Sequence, residues 1–182
     1  MSKDLDEILL EGEVVFSGRL LKVHRDRVRL PDGSEAVREY IRHPGAVVIL
    51  ALLDDGQVVL ERQFRYPHGK VFIELPAGKR DPGEAPEATG RRELLEETGY
   101  VAAAWRRLGV IHNAIGYSDE GIELWLARGL ELRAPKLEAG EFLEVFALPL
   151  AEAQEMVRDG RITDAKTAVG LLWSRCLLEA GE

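Results

Sequence analysis

Apolar and polar residues alternate from Val14 to Phe16 and again from Leu20 to Leu30, where LLKVHRDRVRL reads as an extended, half-buried strand. Pro31-Asp32-Gly33 predicts a turn into EAVREYIRH, so residues 12–43 read as β-rich with a hairpin. After Pro44-Gly45 the pattern changes. AVVILALL (46–53) is apolar throughout, as in a central strand buried on both faces. Asp54-Asp55-Gly56 predicts a turn that returns QVVLERQFRY (57–66) as its partner, and Pro67-His68-Gly69 breaks that strand before VFIELPAG. A helix opens near Pro86 and stops at Gly99, because proline suits a first helical turn and glycine a position just past the last. Residues 102–112, 122–130 and 142–150 read as strands, and 131–141 as an acidic loop. Residues 151–160 and 164–181 read as helices, with Asp164 as N-cap of the second. Many strands with one mid-chain helix and two late ones predict an α/β fold built on a mixed sheet.

Composition narrows the class. A chain of 182 residues supports one well-cored domain with a modest extra element, and 46% hydrophobic with 31% charged residues is an ordinary soluble balance. Against 24 basic residues stand 32 acidic ones, a net charge of −8, which disfavours non-specific binding to nucleic acid or anionic membrane. An anionic substrate must then be met by a local cluster of arginine and metal. Cys176 is the lone cysteine, so no internal disulfide forms, and its neighbours Leu177 and Leu178 predict a buried, inert thiol. The start MSKDLDEILLEGEVV lacks the basic and apolar segments of a signal peptide, and no apolar run is long enough to span a bilayer. A reducing cytoplasm is the expected location.

The chemistry concentrates in GKRDPGEAPEATGRRELLEETGY (78–100). Glu93 and Glu97 stand four residues apart on one helix face, with Glu96 beside them. Carboxylates this close repel unless a cation sits among them, and hard divalent ions such as Mg²⁺ bridge carboxylates to substrate phosphates. Leu94 and Leu95 offer a narrow apolar stripe that docks the helix.

The segment resembles the signature of the Nudix hydrolases. Gly78, Glu84, Arg92-Glu93, Leu94, Glu96-Glu97, Gly99 and Tyr100 fill every fixed position of that pattern. The resemblance implies the Nudix fold, a mixed β-sheet sandwiched between helices, in residues 44–182, with residues 1–43 as an N-terminal antiparallel β extension. It implies hydrolysis of a nucleoside diphosphate linked to another group, with Mg²⁺ as cofactor and Mn²⁺ as substitute. Glu93, Glu96, Glu97 and the carbonyl of Ala77 would hold metal, while Gly78, Glu84 and Arg92 shape and brace the loop–helix–loop.

Softer pieces resemble the ADP-ribose pyrophosphatase group: REYIRHPGAV (38–47), RQFRYPHGKVFIELPAGK (62–79), GYSDE (116–120) and DGRITDAKT (159–167). They imply that Arg65 reaches the diphosphate and terminal ribose, that Arg38 and Glu39 approach the adenine, and that Glu120 meets the terminal ribose. The catalytic base in that group is a glutamate of the late acidic loop. Glu138, Glu141 and Glu144 all qualify by location, and Glu141 is chosen because it precedes the strand FLEV; it is also a candidate metal ligand. A homodimer is implied, the N-terminal β segment exchanging between subunits, with neither nucleic acid nor membrane as partner. One position departs: Ile115 stands where the group often carries proline, which leaves room for another sugar nucleotide such as GDP-mannose. A non-catalytic nucleotide-sensing module is the reading from another class. The four histidines show no metal-ligand spacing, and the three tryptophans fit packing positions.

Overall fold

The computed structural model describes residues 5–133 and 142–179, with side chains as far as Cys176. The chain divides into two compact units, one running to Pro44 and adding Ala114–Gly121, the other comprising Gly45–Asn113 and the chain from Ile122.

In the first unit, β1 (Ile8–Ser17), β2 (Lys22–Arg29) and β3 (Glu35–Ile41) form an antiparallel sheet in that order. The β2–β3 turn is set by Asp32, which accepts the Ser34 amide at 2.9 Å and its hydroxyl at 2.6 Å. Gly33 supplies the left-handed step there, with φ of 87°. β1 begins at Ile8, earlier than the alternation alone suggests. Ile8, Leu9, Phe16 and Val37 are each more than half exposed.

The second unit holds β4 (Ala46–Ala51), β5 (Gln57–Arg65), β6 (Lys70–Glu74), β7 (Ala77–Lys79), α1 (Pro86–Thr98), β8 (Tyr100–Ile111), β9 (Ile122–Leu132), β10 (Leu143–Pro149), α2 (Leu150–Arg158) and α3 (Ala165–Glu179). Its strands make two sheets, ordered β7-β4-β9-β8 and β10-β5-β6. β4 and β9 run parallel and the other pairs antiparallel, so the sheet is mixed.

The expected β4–β5 hairpin is a point of correction. Only Leu52 and Val58 bridge the turn at Asp54–Gly56, after which β4 pairs with β7 and β9, and β5 with β10 and β6. β4 is apolar on both faces, and so is the Val58–Leu60 stretch of β5, so each can be central in a sheet of its own. β4 shows the consequence residue by residue. Val47, Ile49 and Ala51 join Leu94 of α1 in one core layer, with Trp105 and Tyr100 at its margin. Val48, Leu50 and Leu52 join Leu124, Ala153 and Met156 of α2, and Leu171 of α3 in the other. The sheet is therefore sandwiched between α1 and the α2–α3 pair, as the uninterrupted apolar run requires.

α1 starts on Pro86 and ends where Gly99, at φ of 76°, returns its amide to the Leu95 carbonyl at 3.0 Å. Asp164 caps α3, accepting the Thr167 amide at 3.0 Å. Cys176 corrects a second expectation: it is exposed. The buried line of α3 runs through Thr167, Leu171 and Ser174, and Cys176, two residues further, turns away from it. Among the described residues no helix is long and apolar enough to cross a membrane.

Candidate active site

β7 and α1 bring the signature residues together. β7 lies against β4 with Ala77 opposite Val48 and Gly78 opposite Val47. Leu94, fully buried, seats α1 on that sheet, a burial worth about 2 kcal/mol. The seating turns Glu93 and Glu97 toward β7, while Glu96 meets Arg92. Glu97 is only 6% exposed, and its Oε2 accepts the Ala77 amide at 3.0 Å. Glu93 passes so close to Gly78 that a Cβ there would lie 1.8 Å from its carboxyl carbon.

Arg92 holds the cluster. Its Nε and Nη2 donate to the two oxygens of Glu84 at 3.1 and 2.9 Å, a bidentate pair. Nη1 donates to Glu93 at 2.8 Å and to Glu96 at 3.0 Å, and Nη2 also reaches the Lys79 carbonyl at 3.2 Å. Glu84 accepts the Thr89 hydroxyl at 2.8 Å and the Asp81 amide at 3.2 Å. The Arg92 hydrogen bonds hold the Glu84 carboxyl well down, at about 2, against an opposing push from burial. Arg92 is raised in turn, first by Glu84.

That pairing predicts an acid-sensitive brace. A carboxyl depressed from 4.5 to about 2 stabilises the fold above the unfolded value and loses that contribution as pH falls from 4.5 through 2. With the Glu84 side chain 18% exposed, screening trims the contribution to about 2 kcal/mol. Urea unfolding of wild type and Glu84→Gln should differ by that amount at pH 7 and converge toward pH 2. A gap that persists unchanged at low pH would refute the assignment.

The donor set suits a divalent cation. Glu93, Glu96, Glu97 and the Ala77 carbonyl offer oxygen alone, the preference of hard ions. A cationic nitrogen of Arg92 already stands between Glu93 and Glu96, as a metal counter-charge would. Among the described residues no three acidic, histidine or cysteine side chains are yet gathered at metal-binding spacing. The residues fit such an ion with Arg92 yielding its Nη1 contacts.

The other predicted residues are more scattered. Arg65 lies on β5 and donates through Nε and Nη2 to Glu74, both at 2.7 Å. Arg38 and Glu39 lie on β3 of the N-terminal sheet, bonded to Glu7 at 2.8 Å and Arg25 at 3.0 Å. Glu120 faces His43 Nδ1 at 3.3 Å in that same unit. Glu144 is exposed on β10 and paired with Arg62 at 2.8 Å. Glu138 and Glu141 lie outside the described residues.

Sequence reasoning passed over Glu74 and Lys166. Glu74 is 2% exposed, and Lys166 donates to it and to Asp164, the latter at 2.9 Å. Burial pushes the Glu74 carboxyl up, but Arg65 and Lys166 outweigh it and the net direction is down. Thr167 donates to Asp164 at 2.6 Å and accepts the Leu75 amide at 2.8 Å. The hint in the sequence was a glutamate inside the apolar run VFIELP, which needs a buried cation from elsewhere.

Clustered helix carboxylates beside a glycine-bearing strand offer the oxygen donors that a metal-using, phosphate-directed hydrolase needs. The model of the NUDIX domain matches residues 42–167, and that of the nucleoside diphosphate sugar hydrolase N-terminal domain matches 7–41. The chain belongs to the Nudix family, whose hydrolases generally need a divalent metal ion. It is 38% identical to an ADP-ribose pyrophosphatase of Bacillus subtilis (strain 168) over 171 residues, covering 93% of this chain and 92% of that one. It is 39% identical to a methanol dehydrogenase activator of Bacillus methanolicus, with 94% of each covered. A crystal structure of an ADP compounds hydrolase superposes with a TM-score of 0.88 at 25% identity, covering 99% of this chain and 98% of that one.

Proposed function

We propose that the protein hydrolyses the diphosphate of ADP-ribose to AMP and ribose 5-phosphate, using Mg²⁺. The observation that carries this reading is the seating of Glu93 and Glu97 against the Ala77–Gly78 backbone, in a chain similar over nearly its whole length to an ADP-ribose pyrophosphatase. Water adds across the P–O–P bridge, and each phosphate leaves with one half of the substrate. A divalent metal, when bound, would supply charge neutralisation of the diphosphate and activation of the attacking water. Glu93, Glu96, Glu97 and the Ala77 carbonyl would hold it, and Glu84 with Arg92 keeps α1 and the preceding loop rigid. Arg65 takes the diphosphate, Arg38 and Glu39 the adenine, and Glu120 the terminal ribose. Glu141 is the base assigned on sequence.

Residues 1–43 serve as the dimerisation segment of the 44–182 hydrolase domain, a role supported by the exposed Ile8, Leu9, Phe16 and Val37. The working compartment is the cytoplasm.

Purified protein with Mg²⁺, given ADP-ribose and GDP-mannose separately, tests the substrate by chromatography of products, with light scattering reporting a dimer. AMP from ADP-ribose is the expected result. Turnover of GDP-mannose alone would move the substrate to that sugar nucleotide and point to Ile115, which is 83% exposed. Binding of ADP-ribose without turnover would replace the enzyme by a sensor.

A further inference from the structure

Glu61 and Glu74 face one another across the β5–β6 ladder, and they are 1% and 2% exposed. Two neighbouring carboxylates withdrawn from water demand cations close by. Arg65, at the end of β5, and Lys166, at the start of α3, both supply positive charge to Glu74. They differ in what they keep. The Lys166 side chain is 14% exposed and spends donors on both Glu74 and Asp164. The Arg65 side chain is 41% exposed and directs Nε and Nη2 at Glu74, so Nη1 makes no hydrogen bond among the described residues.

The cluster borders the carboxylate helix. Glu74 precedes Ala77 by three residues, so their Cα atoms are at most about 11 Å apart. Ala77 is the residue whose amide holds Glu97. The start of α3 grips the same connection, through Lys166 on Glu74 and Thr167 on Leu75.

We propose that Glu74 and Lys166 are positioning residues for Arg65. Glu74 fixes the guanidinium, and Lys166 offsets part of the buried negative charge, so that Arg65 keeps a donor for the substrate diphosphate. Without Lys166, Arg65 is drawn wholly into neutralising Glu74. The proposal rests on the reading of Arg65 as a diphosphate ligand.

Kinetics and binding of the full chain test it with Lys166→Met, Lys166→Arg and Glu74→Gln. Three quantities are read: kcat and KM for ADP-ribose with Mg²⁺, the Kd of inorganic pyrophosphate by calorimetry, and Mn²⁺ affinity by electron paramagnetic resonance. Lys166→Met should raise KM and the pyrophosphate Kd about tenfold, the scale of one charge-assisted hydrogen bond, with kcat within about twofold. Lys166→Arg should recover most of that loss, and Mn²⁺ affinity should not move. An unchanged KM, or a fall in kcat and Mn²⁺ affinity together, would overturn the proposal, since a merely structural strut would damage all three. If Lys166→Met fails to melt cooperatively, Glu74→Gln decides by the same criteria. If wild type proves inactive on ADP-ribose, the substrate reading fails on its own, and the pyrophosphate comparison still decides this one.

Discussion

Glu97→Gln is expected to lower turnover of ADP-ribose about a thousandfold while leaving a folded protein. The side chain is 6% exposed and its Oε2 accepts the Ala77 amide at 3.0 Å. A glutamine has the same volume, and its carbonyl oxygen can accept that same hydrogen bond. Packing of α1 on β4 and β7 therefore survives the change. What disappears is a negative charge beside the helix carboxylates. A neutral amide oxygen brings no charge to offset a divalent ion and binds it more weakly than a carboxylate does, and metal-based charge stabilisation is worth several kcal/mol in phosphoryl chemistry. About 4 kcal/mol corresponds to about three powers of ten in rate. Steady-state kinetics across a Mg²⁺ titration, with thermal melting of both proteins, checks this. Activity within tenfold of wild type would remove Glu97 from the machinery, and loss of cooperative melting would show that its role is structural. Glu96→Gln should cost less, because its side chain is 27% exposed and is already shared with Arg92.

What the sequence announced and what it concealed follow from the range of the interactions. α1 was legible because its limits are local: Pro86 starts it, Gly99 stops it, and Leu94 marks the buried side. The double burial of β4 was legible for the same reason. Its neighbours were not, since an apolar run states that both faces are covered without naming the strands beside it. Hence the expected β4–β5 hairpin gave way to two sheets. Carboxylates of the signature were readable from their spacing, whereas the division of Arg92 between Glu84, Glu93 and Glu96 depends on how the loop folds back. Glu74 and Lys166 lie 92 residues apart, and only tertiary packing reveals that one neutralises the other. Cys176 is exposed although the residues beside it in sequence are apolar, because its own position turns away from the buried line of Leu171 and Ser174.

Gly78→Ala is the second large loss, about a hundredfold in kcat/KM. The reason is space. Gly78 is absent from the glycines with positive φ, so its backbone accepts an alanine without strain. The added Cβ, however, would lie 1.8 Å from the Glu93 carboxyl carbon and 1.9 Å from Oε1, well inside contact distance. Either Glu93 swings away or β7 retreats from α1. The first displaces a carboxylate that Arg92 holds at 2.8 Å, and the second stretches the Ala77 amide from Glu97. Both routes separate the oxygens that would share one cation, and misplacement by about 1 Å is enough to cost about a hundredfold. Mn²⁺ affinity by electron paramagnetic resonance should fall along with kcat/KM. Glu93→Asp added to Gly78→Ala withdraws the carboxylate by one methylene and relieves the contact. The double variant should therefore lose less than the two single losses combined, a coupling expected of residues in contact. Strict additivity, or a Gly78→Ala enzyme within threefold of wild type, would mean that Glu93 can hold its place without the hollow that Gly78 leaves, and the close approach would then be incidental to catalysis.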